Sequence, residues 1–311
     1  KRRKRASTPK TPAAEHPIAQ VVLDIQATHL GQTFDYYVEE KYSEDAQPGV
    51  MVRVRFGGQR VNGIVWNRTD TSETPESSLR FIERVVSDRV LVPASMRNDV
   101  TLIADAFGGT RANILRLAVP ARVARVEQEQ RLGNRTNIEK TDVGNRLPRS
   151  NGNHTNNCNG NTAISICFTK RWNRNVSNRS CSIRFRVPII GGSARRWMVV
   201  LALLQGKPAV LVLPTMREIE DMAETLQAIG LRPFAPTQSS DGAYDGDFAI
   251  LNAQMAPVER YRAYLATSEG QVRCVIGTRA AMYAPVDGNA LFFILDDVCY
   301  QDADGMMPYA N

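Results

Sequence analysis

Apolar and polar positions alternate most strictly between Val50 and Trp66, in VMVRVRFGGQRVNGIVW. Successive strand side chains point to opposite faces. Val50, Val52, Val54 and Phe56 therefore share one face, and Met51, Arg53 and Arg55 the other. Gly57-Gly58 interrupts the run where a tight turn needs positive φ, and Arg60–Trp66 returns as the partner strand. Ile18–Ile25 (IAQVVLDI) predicts a further strand, and TFDYYV at Thr33–Val38 stands between the two. The pattern alone fits a small β-barrel with an ordinary buried face. An aromatic–acid–aromatic cluster beside so regular a hairpin points to a nucleic-acid end-binding module more than to an enzyme pocket.

The period changes further along. Ser95 reads as an N-cap for a helix over Met96–Phe107, where Val100, Ile103, Ala104 and Phe107 recur at helical spacing. Ala112–Leu117 predicts a second short helix, stopped by Pro120. Beyond residue 194, helix and strand alternate. Arg195–Gln205, Arg217–Ile229 (with Gly230 as its stop) and Pro257–Ala266 predict helices. Ala209–Leu213, Phe248–Leu251, Val272–Ile276 and Leu291–Leu295 predict strands. That alternation implies a parallel sheet with helices on its faces. The expected class is α/β overall, a β-rich N-terminal domain followed by a parallel α/β lobe.

Charge sharpens the division. The formal net charge of +7 is unevenly spread. Residues 1–15 carry six Lys/Arg against Glu15, and residues 131–196 carry 13 basic residues against two acidic. Residues 16–130 hold 13 basic and 15 acidic residues, and residues 197–311 hold seven and 14. The two segments that read as folded are thus mildly acidic. The expected organisation is a basic tail (1–16), a β-rich domain (17–125), an Asn-rich stretch (126–190) and an α/β lobe (191–311). The tail reads either as a phosphate-attracting arm or as a solvated end. The Asn-rich stretch reads as an irregular insert, as a decayed winged-helix region, or as a segment translated out of frame.

No run of about 18 apolar residues occurs, so no membrane span is expected, and no apolar stretch follows the basic tail as in a secretory signal. A cytoplasmic location is expected. Cys158, Cys167, Cys181, Cys274 and Cys299 form no C-x-x-C pair, which leaves a metal role without support.

Three places in the chain resemble the PriA family of replication restart proteins (primosomal protein N′). TFDYYV with PGVMVRVRFGGQRVNGIV is similar to the family's N-terminal domain, which binds the 3′ end of the leading strand. Val258–Arg262 with Val275–Pro285 (VIGTRAAMYAP) resembles its ERY and GTRSA segments, and Phe293–Asp297 (FILDD) stands where it has a strand and an acidic box. The resemblance implies a pocket for a terminal nucleotide made of Phe34, Asp35, Tyr36, Gly57 and Arg80. Aromatic faces would stack on a base of any identity. Asp35 would accept a hydrogen bond from a free 3′-hydroxyl and repel a 3′-phosphate. Gly57 would let the backbone approach the sugar, and Arg80 would neutralise a phosphate. Read without the resemblance, Phe34 and Tyr36 are alternate residues that serve equally well as core.

The departures matter as much. The family is ATP-dependent and binds zinc, but no G-x-x-x-x-G-K-[ST] loop occurs here. Gly191-Gly192-Ser193 lacks the lysine, and Gly206-Lys207-Pro208 lacks both the glycine spacing and the hydroxyl. The acidic box is reduced to Asp296 and Asp297, followed by Val298 and Cys299. The chain also lacks a second helicase lobe and the family's zinc-binding cysteine pairs, so the lobe reads as truncated. This pattern resembles a degenerate, actinobacterial branch without helicase motifs, for which neither ATP nor zinc is expected. Three readings follow. The first is a fork-binding protein that recognises a 3′ DNA end and helps recruit primosome proteins and the replicative helicase or its loader. The second is a nucleotide-driven translocase with an unusual phosphate site, and the third is a non-catalytic scaffold.

Overall fold

The computed structural model describes residues 10–25, 32–107, 109–133, 199, 202–203, 206–236, 244–286 and 289–295. The Asn-rich stretch, Gly191–Ser193, Asp296, Asp297 and most of the helix expected over 195–205 lie outside the described residues, as do Cys158, Cys167, Cys181 and Cys299.

The alternating segments form one six-stranded sheet. Its strands are β1 (Ile18–Leu23), β2 (Phe34–Tyr37), β3 (Val50–Phe56), β4 (Gln59–Thr69), β5 (Arg80–Phe81) and β6 (Arg84–Val90). The order is β5-β2-β1-β4-β3-β6. The β3–β4 hairpin pairs Arg55 with Arg60 and Phe56 with Gln59. Gly57 (φ 54°) and Gly58 (φ 82°) alone span the turn, in the left-handed backbone that glycine tolerates at little cost. β5 pairs with β2 at one sheet edge and β6 with β3 at the other. The link between them bonds to both, with Ile82 N–H on the Tyr37 carbonyl at 2.9 Å and Glu83 N–H on the Arg53 carbonyl at 2.9 Å. Residues 80–90 therefore close the sheet into a small barrel. Its interior holds Ala19, Val21, Leu23, Tyr36, Val38, Val52, Val54, Val65 and Ile82. Full burial of such aliphatic side chains stabilises by roughly 1.5–3 kcal/mol each.

Three helices follow: α1 (Ala94–Phe107), α2 (Arg111–Ala118) and α3 (Ala124–Gly133). The start of α1 corrects the sequence reading. Its first bond runs from Arg97 N–H to the Pro93 carbonyl at 3.0 Å, which puts Ser95 inside the first turn. The Ser95 hydroxyl donates instead to the Val286 carbonyl of the C-terminal lobe, at 3.1 Å. Thr110 caps α2 by accepting from Asn113 N–H at 3.3 Å.

The lobe contains β7 (Ala209–Val212), α4 (Met216–Ala228), β8 (Ala235–Pro236), β9 (Tyr244–Asp245), β10 (Phe248–Leu251), α5 (Pro257–Ser268), β11 (Cys274–Gly277) and β12 (Leu291–Ile294). β8 and β9 make a separate antiparallel pair. The others form a parallel sheet in the order β10-β11-β7-β12, as the βα alternation predicts. Ile219, Met222, Ala223 and Leu226 form the buried face of α4, Thr215 caps it, and Gly230 (φ 92°) ends it. Cys274 is a fully buried strand residue whose thiol burial pushes up to about 12, so it packs as an inert apolar group.

Barrel and lobe share a core. Val22, Ile64, Leu91, Met96, Ile114 and Leu115 pack in one cluster with Tyr261 and Leu265 of α5. The expected boundary at 125/126 falls inside α3, whose Glu127 is buried and accepts a hydrogen bond from the Tyr261 hydroxyl at 2.6 Å. The buried Tyr264 hydroxyl donates to the Leu91 carbonyl at 2.8 Å. Tyr264→Phe is expected to leave that carbonyl unpaired and to cost about 1–3 kcal/mol. Urea denaturation should show a lower midpoint with an unchanged slope, and an unchanged midpoint would discount the bond.

Candidate nucleic-acid interface

β2 carries the aromatic–acid cluster, and its pairing decides where each side chain points. Phe34 and Tyr36 face the barrel interior. Asp35 and Tyr37 face outward, because they alternate with them. Tyr36 is only 4% exposed, and its hydroxyl donates to the Arg55 carbonyl at 3.1 Å. Burial pushes its phenol up to about 12, against the opposing effect of the Arg80 charge. The expectation that Tyr36 offers a stacking face is therefore corrected. Its ring is part of the core, because closure of the barrel folds β3 over it. Phe34 is half-buried and meets the Phe56 ring edge-on, centroids 4.7 Å apart. Gly57 follows directly, at the hairpin tip. Arg80 is exposed and pairs in register with Tyr36, so it shares the Phe34 side of the sheet.

Asp35 stands on the other side of the strand. The Ser72 hydroxyl donates to its Oδ2, and Thr74 N–H donates to that hydroxyl oxygen at 3.0 Å. The carboxylate is thus oriented by the loop that leads into β5. β5 pairs only with Tyr36 and Tyr37, so on that edge Phe34 and Asp35 extend past the ladder. The pocket residues of the sequence reading do not converge on one face. They flank one strand edge, with the Phe34 ring and Arg80 on one side and the Asp35 carboxylate on the other.

Two outward-facing aromatics escaped the sequence reading. Tyr37 and Phe81 pair in register, with ring centroids 5.3 Å apart. They lie on the face that carries Asp35, and Lys10 Nζ sits 5.4 Å from the Phe81 centroid. Tyr37 stands in TFDYYV, but its partner depends on β5, a two-residue strand with no sequence signature of its own.

In the lobe, Gly206 (φ 71°) turns the chain into the start of β7, and Lys207 N–H donates to the Ala202 carbonyl at 2.9 Å. Ligands of open parallel sheets bind at the opposite, carboxyl ends of the strands. Gly206-Lys207 thus turns the chain at the amino end of β7. Among the described residues, no cluster of His, Cys, Asp or Glu is arranged to hold a metal ion, and no helix is long and apolar enough to cross a membrane.

This geometry, a small closed barrel with an aromatic and an acidic residue at one strand edge, coincides with a family match. Residues 20–120 match the family model described as the PriA 3′DNA-binding domain. Across 288 residues the chain is 29% identical to the probable replication restart protein PriA of Mycobacterium tuberculosis strain H37Rv, covering 92% of this chain and 40% of that protein. It is 30% identical over 296 residues to the corresponding protein of Mycobacterium leprae strain TN, with the same coverage. The chain spans about two fifths of the length of these relatives. The N-terminal barrel is therefore a domain of the 3′DNA-binding class. Over 92% of its length the chain is similar to these PriA proteins.

Proposed function

We propose that this chain binds forked or single-stranded DNA at the 3′ end of a nascent strand and acts in replication restart. The observation that carries this reading is the coincidence of the 3′DNA-binding family match with the barrel whose β2 edge presents Phe34 and Asp35 together. The terminal base stacks on the exposed part of Phe34, and Tyr36 supports that ring from the core. Asp35 Oδ2 already holds Ser72, and Oδ1 accepts the 3′-hydroxyl. Gly57 keeps the hairpin tip free of side-chain bulk beside the sugar, and Arg80 neutralises the adjacent phosphate. Recognition is of an unblocked end and not of sequence.

The parallel lobe, read as helicase-like, serves in this proposal as a platform for primosome proteins and the replicative helicase or its loader. It promotes assembly in the cytoplasm without unwinding DNA itself. Asp296 and Asp297 would be the remnant of an acidic box. The shared core supports a platform role, because it packs α5 of the lobe against the barrel.

The test is fluorescence anisotropy of the chain with oligonucleotides ending in 3′-hydroxyl or 3′-phosphate, alongside nucleotide hydrolysis with forked DNA. The hydroxyl end is expected to bind more tightly, with no DNA-stimulated hydrolysis. Equal binding of both ends would overturn end recognition, and stimulated hydrolysis would establish the translocase reading.

A further inference from the structure

The outer wall of the barrel carries a second feature. Alternation turns Arg53 and Arg55 of β3 outward as the valines turn in. Strand register then places Arg53 beside both Asn62 and Arg84, and Arg55 beside Arg60. Lys10, Arg53, Arg60 and Arg84 line one open groove, with Glu83 among them. Five cations, counting Arg55, thus gather on one wall of a domain whose overall charge is mildly acidic.

The groove is organised at the level of single atoms. The Glu83 carboxylate takes Arg55 Nε at 2.8 Å on one oxygen and Arg60 Nε at 2.9 Å on the other. Bonds from both arginines hold the Glu83 carboxyl below the usual carboxylate range. Arg53 Nε donates to Asn62 Oδ1 at 3.0 Å. Three guanidiniums are therefore anchored through Nε, and their terminal amino groups are not used in these bonds. Arg84 has no hydrogen-bond or ion-pair partner among the described residues and is exposed. A row of oriented guanidinium forks matches the oxygens of phosphodiesters. At the border of the groove, Lys10 lies over Phe81, Phe81 packs on Tyr37, and Tyr37 shares the strand face of Asp35.

We propose that this outer wall is a phosphate track for single-stranded nucleic acid. It holds the backbone of the strand whose 3′ terminus sits at the β2 edge, with Tyr37 and Phe81 as a stacking step between the two. The direction of the track rests on the end-binding reading above, whereas its affinity for phosphodiesters does not. The aromatic step and the continuity with Asp35 favour a nucleic acid over an acidic protein segment.

The test compares the full chain with Arg53→Gln/Arg84→Gln, which spares Glu83 and its two arginines. Arg84→Gln alone is a second variant, confined to an exposed side chain. Binding of a fluorescent oligothymidylate, with either 3′-hydroxyl or 3′-phosphate, is followed from roughly 50 to 200 mM salt. Each removed contact is expected to flatten the slope of log K against log salt by about 0.7. Affinity should fall several-fold for both ends alike, leaving their ratio untouched. Unchanged affinity and slope would overturn the track. So would a loss of polyglutamate binding with oligothymidylate binding intact, which would mark the wall as an acidic-protein site. Failure of the parent chain to distinguish the two ends would sink the end-binding reading while leaving the slope change readable.

Discussion

Replacing Glu127 with alanine is expected to destabilise the protein by about 3–5 kcal/mol, the largest effect foreseen for a single side chain. Glu127 is 2% exposed and accepts from both Arg122 and Tyr261. Arg122 reaches it through two nitrogens, at 2.9 and 2.5 Å. Burial, and then the bond to Glu127, push the Tyr261 phenol well up. Truncation would leave a guanidinium and a buried hydroxyl without their acceptor. Because α3 and α5 meet here, the loss should also loosen the lobe from the barrel. A melting temperature lower by on the order of 10 °C is expected in a chain of this size. Calorimetry should show a broadened or split transition, and Glu127→Gln should recover part of the loss through the retained hydrogen bonds. A sharp, unshifted transition in the alanine variant would mean that the network does not join the two parts.

The second large effect concerns binding. Asp35→Ala should remove the preference for a 3′-hydroxyl over a 3′-phosphate. A hydrogen bond to a charged group is worth about 1.5–3 kcal/mol, which is roughly tenfold to a hundredfold in affinity. The expected sign is specific: hydroxyl-ended DNA binds more weakly, and phosphate-ended DNA binds no worse or better, because the repelling carboxylate is gone. Asp35 is only partly buried and Ser72 is its hydrogen-bond partner, so the fold should tolerate the change. Ser72→Ala is the companion variant. It keeps the charge but frees the side chain, and should weaken discrimination without abolishing it. Equal losses for both ends in Asp35→Ala would place the carboxylate outside the site.

The hairpin and the parallel lobe were legible in the chain because their signals are local. Two glycines at a two-residue turn, a period of two on each side, and apolar runs separated by amphipathic helices specify neighbours within a few residues of each other. β5 and β6 left no comparable trace. The β3–β6 register slips between Val50 and Val52, which breaks the alternation, and β5 is two residues long. Both exist because they close a barrel, a contact between distant segments. The start of α1 was misplaced for a related reason. Ser95 has the chemistry of a cap, but its hydroxyl found a better partner in the Val286 carbonyl, which lies 191 positions away.

The candidate site divides along the same line. Aromatic, acidic and glycine residues at Phe34, Asp35, Tyr36 and Gly57 are covalent facts, and together with VIGTRAAMYAP and FILDD they carried the resemblance that implied end recognition. Their division into a buried Tyr36, a half-buried Phe34 and an outward Asp35 came from the pleat of β2 and the closure of β3 across it. Charge shows the contrast most clearly. Counted along the chain, residues 16–130 are slightly acidic, and nothing there announces a basic surface. Electrostatic interaction depends on distance in space, not on averages along a segment. Arginines from three strands and a lysine from the N-terminal arm become one basic wall only when strand register sets them side by side.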